Sequence, residues 1–430
     1  MRNKSVFCLI LALLCPIFML GQQISIVGKA NVPNALVRLL AYDEMLTQEQ
    51  TKIAETQSDK DGKFTLQAEI KEMTPAQIAI DLDRVDFILS PGASYNLEIT
   101  IPDKGEVSFF EQEMPSLKIN SANDGGFYSQ FVAVQEFVDN FVFETFDKIY
   151  RGRQLSLLDT LDNQLVKNFG QIKNKYINDF VKYRKASMLM TVNAKRTLTE
   201  YFDNQEVLYM QQAYMDVLPA LRNTIGSDSD FLSRNWQIAE IVRMMNLDTS
   251  YNSNPQNQSQ ILKSLEQIEK TSKSKKNQLI AANIIKRLKE LSYDSEAPAF
   301  SLKDKSGKIV QLSDYKDDMV LLQFVGSITT LVENELEALN ELHKQLNDTI
   351  QIVTISTKES FQNYLQLFDK QGYNWQLLDL GDNILLLEDY HVMIFPAYVI
   401  LKRKNRIGMA PAPSPFHYLD VQVRRISKYL

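Results

Sequence analysis

The sequence predicts a multidomain α+β protein, and three successive hydrophobic patterns along the chain are the basis for this. Residues 22–105 alternate apolar and polar side chains, which is typical of strands. Residues 106–291 repeat apolar side chains at intervals of three and four, which is typical of helices. Residues 292–430 alternate short apolar runs with amphipathic segments. The predicted order is therefore an N-terminal β-sandwich domain, an all-helical middle domain and a C-terminal α/β domain.

Residues 1–21 have the layout of a secretory signal peptide. Arg2 and Lys4 form a basic start, Val6–Leu20 is predominantly apolar, and the small residue Gly21 precedes two glutamines. The apolar run is shorter than the roughly 20 residues of a spanning helix, and no later stretch approaches that length. We expect a protein of the periplasm or a secreted protein without a transmembrane segment in its mature chain. Lipid attachment at Cys15 is the alternative.

Both cysteines of the chain, Cys8 and Cys15, lie inside this predicted signal peptide. The mature chain is then expected to contain no disulfide and no thiolate for catalysis or metal binding. The net charge of −6 is modest and the basic residues are mixed with acidic ones, so a nucleic-acid partner is not predicted. Scattered histidines without cysteine give no zinc-ligand spacing, and neither a metal nor a cofactor is predicted.

Short strands at close spacing favour a small β-sandwich in residues 22–105. The predicted strands are Gln23–Gly28, Ala35–Ala41, Lys52–Gln57, Lys63–Ala68, Gln77–Leu82, Asp86–Leu89 and Tyr95–Ile101.

Helices are predicted from about Asn123 onward. The first has an apolar face that runs from Phe127 to Phe141 and weakens at Thr145. A longer helix extends from Leu158 to Tyr183, with Gly170 inside it at a cost of about 1 kcal/mol relative to alanine. The other predicted helices are Gln205–Leu221, Phe231–Met245, Gln260–Lys270 and Lys276–Leu291, with Thr249–Ser259 as a polar linker.

The C-terminal domain is predicted to contain two strand–helix crossovers followed by a hairpin and a final helix, which is the order of the thioredoxin fold. The predicted strands are Val320–Phe324, Gln351–Ile355, Ala397–Leu401 and Ile407–Met409, and the helices carry Leu331–Leu346, Phe361–Phe368 and Leu419–Ile426.

Ordered motifs in this domain closely resemble those of TlpA/ResA-type thioredoxin-like envelope proteins, which are related to the AhpC/TSA family. The motifs are Ala297-Pro-Ala-Phe-Ser-Leu302, Gly307-Lys308, Leu312-Ser-Asp-Tyr315 and Ile394-Phe-Pro-Ala-Tyr398. The resemblance covers about Tyr293 to Leu430. It implies a cis peptide bond at Pro396, facing the start of the helix that carries Cys-x-x-Cys in the family.

This chain departs from the family at that motif. Thr329 and Val332 occupy the positions of the two cysteines, and Val325 and Ile328 replace tryptophans. A threonine hydroxyl is far too weak an acid to supply the nucleophile that a thiolate supplies, and valine cannot resolve a mixed disulfide. The sequence therefore predicts that the protein has neither thiol–disulfide oxidoreductase nor peroxidase activity.

Two functions stay open. The favoured one is a non-catalytic envelope protein that binds an extended peptide or a protein, or acts as a scaffold, through Thr329, Val332, Phe395 and Pro396. These residues are expected to form an apolar patch together with Val325, Ile328 and Leu331, and a charge at Val332 is expected to abolish binding without unfolding the domain. Alternatively, the fold keeps Pro396 only for its turn.

The second function is an enzyme of a non-thiol class, with a site in the helical domain or at a domain junction. No catalytic residue is assigned, because Thr329 with His343, His391 or His417 shows no triad signature.

Overall fold

The computed structural model describes residues 21–102, 114–253, 255–346 and 350–428. The predicted signal peptide, apart from Gly21, and both cysteines lie outside these ranges. Within them, no helix combines the length and the apolar character needed to cross a membrane. The chain divides into two compact units, one ending at Ala239 and the other beginning at Glu240.

The first unit opens with eight strands in two four-stranded sheets. The strands are β1 (Gln22–Ala30), β2 (Leu36–Tyr42), β3 (Gln50–Gln57), β4 (Lys63–Ile70), β5 (Thr74–Ile80), β6 (Asp83–Leu89), β7 (Ser94–Thr100) and β8 (Ser116–Ala122). The sheet orders are β4-β1-β7-β8 and β3-β2-β5-β6, and the alternately buried residues of both sheets share one core. The predicted β-sandwich is confirmed.

Strand β8 was not predicted, and it lies in the segment assigned to the helical domain. It pairs antiparallel with β7, and Leu117 and Ile119 alternate with exposed polar residues. With only three apolar residues in seven, one of them the small and exposed Ala122, the segment lacks a strong pattern of its own, and its conformation depends on the open edge of β7. The predicted domain boundaries stay predictions.

Helices follow the sandwich. They are α1 (Phe127–Tyr150), α2 (Ser156–Phe169), α3 (Lys175–Met190), α4 (Ala194–Thr197), α5 (Gln212–Met215), α6 (Leu218–Gly226), α7 (Ser229–Arg234), α8 (Trp236–Ser253), α9 (Gln258–Thr271) and α10 (Lys275–Lys289). The predicted face of α1 is buried, but it does not weaken at Thr145. The Thr145 hydroxyl donates to the Phe141 carbonyl at 2.6 Å, so a polar residue continues the buried face as far as Ile149.

The predicted helix from Leu158 to Tyr183 is two helices. Gly170 ends α2 with φ 65°, a conformation that favours glycine, and α3 begins at Lys175 after Asn174 caps it. The predicted helix over Gln205–Leu221 is likewise divided into α5 and α6. Part of the predicted linker Thr249–Ser259 is helical, because α8 continues to Ser253 and α9 starts at Gln258.

The second unit contains a seven-stranded mixed sheet of order β10-β9-β13-β12-β11-β14-β15. Its strands are β9 (Ser301–Asp304), β10 (Ile309–Gln311), β11 (Val320–Val325), β12 (Gln351–Ser356), β13 (Gln376–Asp379), β14 (Ala397–Lys402) and β15 (Arg406–Ala412). Its helices are α11 (Thr330–Leu346), α12 (Phe361–Gln371), α13 (Leu385–Asp389) and α14 (Leu419–Ser427).

Strands β11, β12 and β13 are parallel, whereas β14 runs antiparallel to β11 and to β15. All six residues of β11 are buried, as expected for a central strand that is covered on both faces. Helices α11, α12 and α14 contribute residues to one apolar cluster with this sheet. The predicted fold class, a strand-rich start, a helical middle and a C-terminal thioredoxin-like α/β domain, is confirmed.

Candidate functional site at the cis-proline loop

The topology places the end of β11 next to the start of β14. The two strands are antiparallel and Phe324 lies opposite Ala397, so the loop after β11 and the residues before β14 meet at one edge of the sheet. A methyl group added to Gly326 would lie 2.7 Å from Cδ2 of the Phe395 ring. The Phe395 ring therefore lies close to the Gly326 backbone, and a side chain at position 326 would have to displace the ring.

The bond between Phe395 and Pro396 is cis, as the resemblance implies. The three residues before Pro396 are large, apolar and exposed, with Met393 89%, Ile394 69% and Phe395 40% exposed. Leu331, in the first turn of α11 at the same edge of the sheet, is 54% exposed. We call Leu331, Met393, Ile394 and Phe395 the cis-proline patch. Exposed apolar clusters of this kind often mark interaction sites.

Thr329 directly precedes α11. Its Oγ1 accepts a hydrogen bond from the Val332 N–H at 3.3 Å, and its carbonyl accepts one from the Glu333 N–H at 3.0 Å. Its side chain is exposed. Threonine here does what an N-cap residue does, satisfying one of the free N–H groups at the start of the helix.

Val332 does not belong to the surface. It is 2% exposed and lies in the apolar cluster with Leu336 and Leu339, while Val325 is completely buried. The expectation that Val332 and Val325 line an accessible patch is therefore wrong, and so is the expectation that a charge at Val332 leaves the fold intact. The face of α11 that carries Val332 packs against the sheet, and the exposed position of the first turn is Leu331.

A chain of buried polar groups lies in the interior of this domain. The Tyr398 hydroxyl donates to Glu335 at 2.6 Å and accepts from the Gln323 amide at 3.1 Å. The Thr354 hydroxyl donates to the Gln323 amide oxygen at 2.8 Å and accepts from the Trp375 N–H at 2.9 Å. Burial, and then the bond to the Glu335 carboxylate, raise the pKa of Tyr398, so that this phenol stays a donor at physiological pH.

Sequence reasoning missed this network, although it contained a signal. Gln323 interrupts an otherwise apolar strand, and a polar side chain in a strand buried on both faces requires partners. Met393 and Ile394 were also missed as members of the patch. The run from Met393 to Phe395 carries no signal of its own, because a buried strand shows the same pattern.

The structure does not support a catalytic arrangement of Thr329 with a histidine. The three histidines have other neighbours: His391 Nε2 lies 3.4 Å from Glu290 Oε2, the His343 ring centre 5.9 Å from that of Trp375, and His417 Nδ1 2.9 Å from Ser414 Oγ. Among the described residues, no group of three or more His, Cys, Asp and Glu side chains is arranged to hold a metal ion.

The matches to known proteins concern the domain that carries the cis-proline patch. Residues 294–410 match the model of the AhpC/TSA family. The C-terminal domain is thioredoxin-like. It is similar to the thioredoxin-like protein YneN of Bacillus subtilis (strain 168), with 31% identity over 114 residues, which are 26% of this chain and 66% of that protein.

Solved structures also resemble the thioredoxin-like domain. One is the thioredoxin domain of a thiol-disulfide oxidoreductase from Bacteroides vulgatus, with 20% identity, a TM-score of 0.29, and coverage of 31% of this chain and 98% of that chain. Another is an exposed lipoprotein thioredoxin of Streptococcus pneumoniae strain TIGR4, with 21% identity, a TM-score of 0.26, and coverage of 31% and 100%.

Proposed function

We propose that this protein is an exported, redox-inactive thioredoxin-like protein whose C-terminal domain binds an extended peptide or protein segment at the cis-proline patch. One observation carries the proposal: Met393, Ile394 and Phe395 expose large apolar side chains directly before the cis bond at Pro396. Burying exposed apolar surface contributes about 25 cal/mol per Å². A partner segment that covers this patch gains that contribution.

Backbone groups support the same mode of binding. Within the described part of the chain, the N–H groups of Met393, Ile394 and Phe395 have no backbone acceptor. An extended segment lying beside them satisfies these donors by strand-type hydrogen bonds, while its side chains contact the patch. Main-chain bonds then supply affinity for many sequences, and the apolar side chains select among them.

The residues at the start of α11 are consistent with binding rather than thiol chemistry. The Thr329 hydroxyl caps the helix, and Val332 packs in the core. The first provides no thiolate, and the second provides no resolving group. What this edge of the sheet offers a partner is therefore shape, apolar surface and free backbone groups.

The change Ile394→Asp tests the binding site. A peptide is first selected from a random library on the purified protein, and its Kd is then measured by fluorescence polarisation. We expect the substitution to raise the Kd at least tenfold, because it places a charge where the peptide must bury an apolar side chain.

The matched control is Ile309→Asp. Ile309 is also an exposed isoleucine (49%), on the edge strand β10, separated from β14 by four strands of the sheet. The change Ile309→Asp should leave the Kd of the peptide unchanged. The cis-proline patch is rejected as the binding site if Ile394→Asp leaves the Kd unchanged, or if Ile309→Asp raises the Kd as much as Ile394→Asp does.

Export is the second part of the proposal and has its own measurement. Intact-mass analysis of the native protein should give an N-terminus near Gln22 or Gln23, because the small Gly21 follows the apolar run. The expected mass includes no lipid. A lipid adduct on Cys15 would instead place the protein on a membrane surface and would refute soluble export.

A further inference from the structure

A cavity of about 540 Å³ lies in the first unit, far along the chain from the cis-proline patch. Six elements contribute to its wall: the end of β2, strands β5 and β6, helices α1 and α3, and helix α5 with the residues that flank it. Its volume falls in the range of small-molecule sites. Nothing in the proposed function of the thioredoxin-like domain uses it.

Aromatic side chains form much of the cavity wall. The ring of Tyr128 packs against Phe87 with centroids 5.1 Å apart, and Phe131 contacts Tyr176 and Phe180 at 5.8 and 5.4 Å. These rings belong to three different elements and hold one another in place. Aromatic rings present a negative face that attracts organic cations.

The charged side chains of the wall are predominantly acidic. They are Asp86, Asp139, Asp216 and Arg184. Arg184 is already paired with Asp139 at 2.6 Å. Three carboxylates and one guanidinium leave a net charge of −2 on the wall.

The remaining two carboxylates are hydrogen-bonded to neutral groups. Asp86 accepts from the Gln77 amide at 2.9 Å, and Asp216 accepts from the Gln212 amide. An amide donor orients a carboxylate but brings no opposite charge to it, so neither hydrogen bond neutralises its carboxylate by ion pairing.

The field of Asp86 reaches the aromatic wall. Burial first, and the charge of Asp86 second, raise the pKa of Tyr128 to about 12. The same two causes raise the pKa of Tyr42, against an opposing contribution from Arg84. Arg84 itself is not part of the cavity wall, and its Nη1 donates to Gln50 at 3.0 Å. The Asp86 carboxylate therefore acts on two tyrosines of the cavity wall, Tyr42 and Tyr128.

We propose that this cavity binds an organic cation with an apolar stem, the chemistry of a lysine or arginine side chain or of a free alkylamine. The stem packs against the rings, and the ammonium or guanidinium group lies at Asp86 and Asp216. A neutral ligand of the same shape gains the packing of its stem against the rings but not the attraction to Asp86 and Asp216.

Two pairs of probes test this by isothermal titration calorimetry on the purified protein. One pair is N-acetyl-lysine methylamide and its uncharged analogue N-acetyl-norleucine methylamide, and the other is pentylamine and pentanol. The cation of each pair should bind at least tenfold more tightly than its neutral counterpart. If both cations bind, the site recognises the ammonium group and the alkyl stem without the peptide groups. If only the lysine derivative binds, the ligand is a peptide side chain.

Asp86→Asn and Asp216→Asn should each weaken binding of the cations at least threefold and leave the neutral probes unaffected. Both positions are exposed, so the variants should fold. Asp147→Asn is the matched control, because Asp147 is exposed on α1 and does not line the cavity. The Asp147→Asn variant should bind both cations with the same affinity as the unchanged protein.

Equal binding of cation and neutral analogue overturns the proposal. So does the absence of cation binding, binding of a neutral disaccharide in its place, or unchanged affinity in both asparagine variants. Ile394→Asp, which tests the cis-proline patch, should leave cation binding intact, so the two proposals fail or stand separately.

Discussion

Replacing Val332 with aspartate is expected to unfold the thioredoxin-like domain, lowering its free energy of unfolding by at least about 4 kcal/mol. Val332 is 2% exposed and lies among the apolar residues that α11 packs against the sheet. An aspartate there loses the burial of the valine and adds an unpaired charge to the interior. Denaturant titration followed by the fluorescence of Trp375, which is buried in the same cluster, measures the change.

The neighbouring change Leu331→Asp is the control and should have the opposite consequences. Leu331 is 54% exposed, so a charge there should alter the free energy of unfolding by no more than about 0.5 kcal/mol. It should nevertheless weaken peptide binding, since Leu331 belongs to the cis-proline patch. If Val332→Asp unfolds at the same denaturant concentration as the unchanged protein, the burial of this face of α11 is refuted.

The burial of Val332 could have been predicted from the sequence. Leu336, Leu339 and Leu342 recur at intervals of three and predict the apolar face of α11, and Val332 lies one turn before Leu336 on that face. The expectation that Val332 is exposed rests only on its cysteine position in the family motif. Helical periodicity reports which way a side chain points, whereas a motif position reports only which residue type relatives carry.

Local patterns predicted the sheets and the thioredoxin-like order of elements because each depends on periodicity within one segment. Local patterns did not predict features that depend on another segment of the chain or on a backbone angle that the sequence leaves open. Strand β8 forms on the open edge of β7, and the Gly170 break depends on a backbone angle that glycine permits but does not require. The pairing of Tyr398 with Glu335 joins residues 63 positions apart, and no local pattern specifies it.

The candidate site was predictable only in part from the sequence. The cis bond at Pro396 and the start of α11 at Thr330 follow from motif positions in this sequence. The exposure of Met393 and Ile394 does not, because three consecutive apolar residues are equally common in a buried strand. The exposed fractions in the folded structure show which of these side chains a partner can reach.

With dithiothreitol supplied as the reductant, the protein is expected to reduce insulin disulfides no faster than dithiothreitol alone does. The double change Thr329→Cys/Val332→Cys is expected to raise that rate at least tenfold, because the new dithiol reduces insulin and dithiothreitol then reduces the protein disulfide that forms. Thr329 is exposed directly before α11, where a cysteine thiolate gains from the helix dipole and from free N–H groups. Val332→Cys removes little volume, so the core should lose only about 1 kcal/mol.

The single change Thr329→Cys separates the two requirements of the reaction. One thiol can attack a disulfide, but without a partner at position 332 the mixed disulfide is released only by attack of dithiothreitol, so the rate should stay well below that of the double variant. Reduction of insulin by the unchanged protein faster than by dithiothreitol alone would contradict the proposed redox inactivity. A folded double variant that stays inactive would show that the cis-proline loop and the start of α11 no longer hold the geometry of a dithiol site, even though Phe395 still packs on Gly326 beside it.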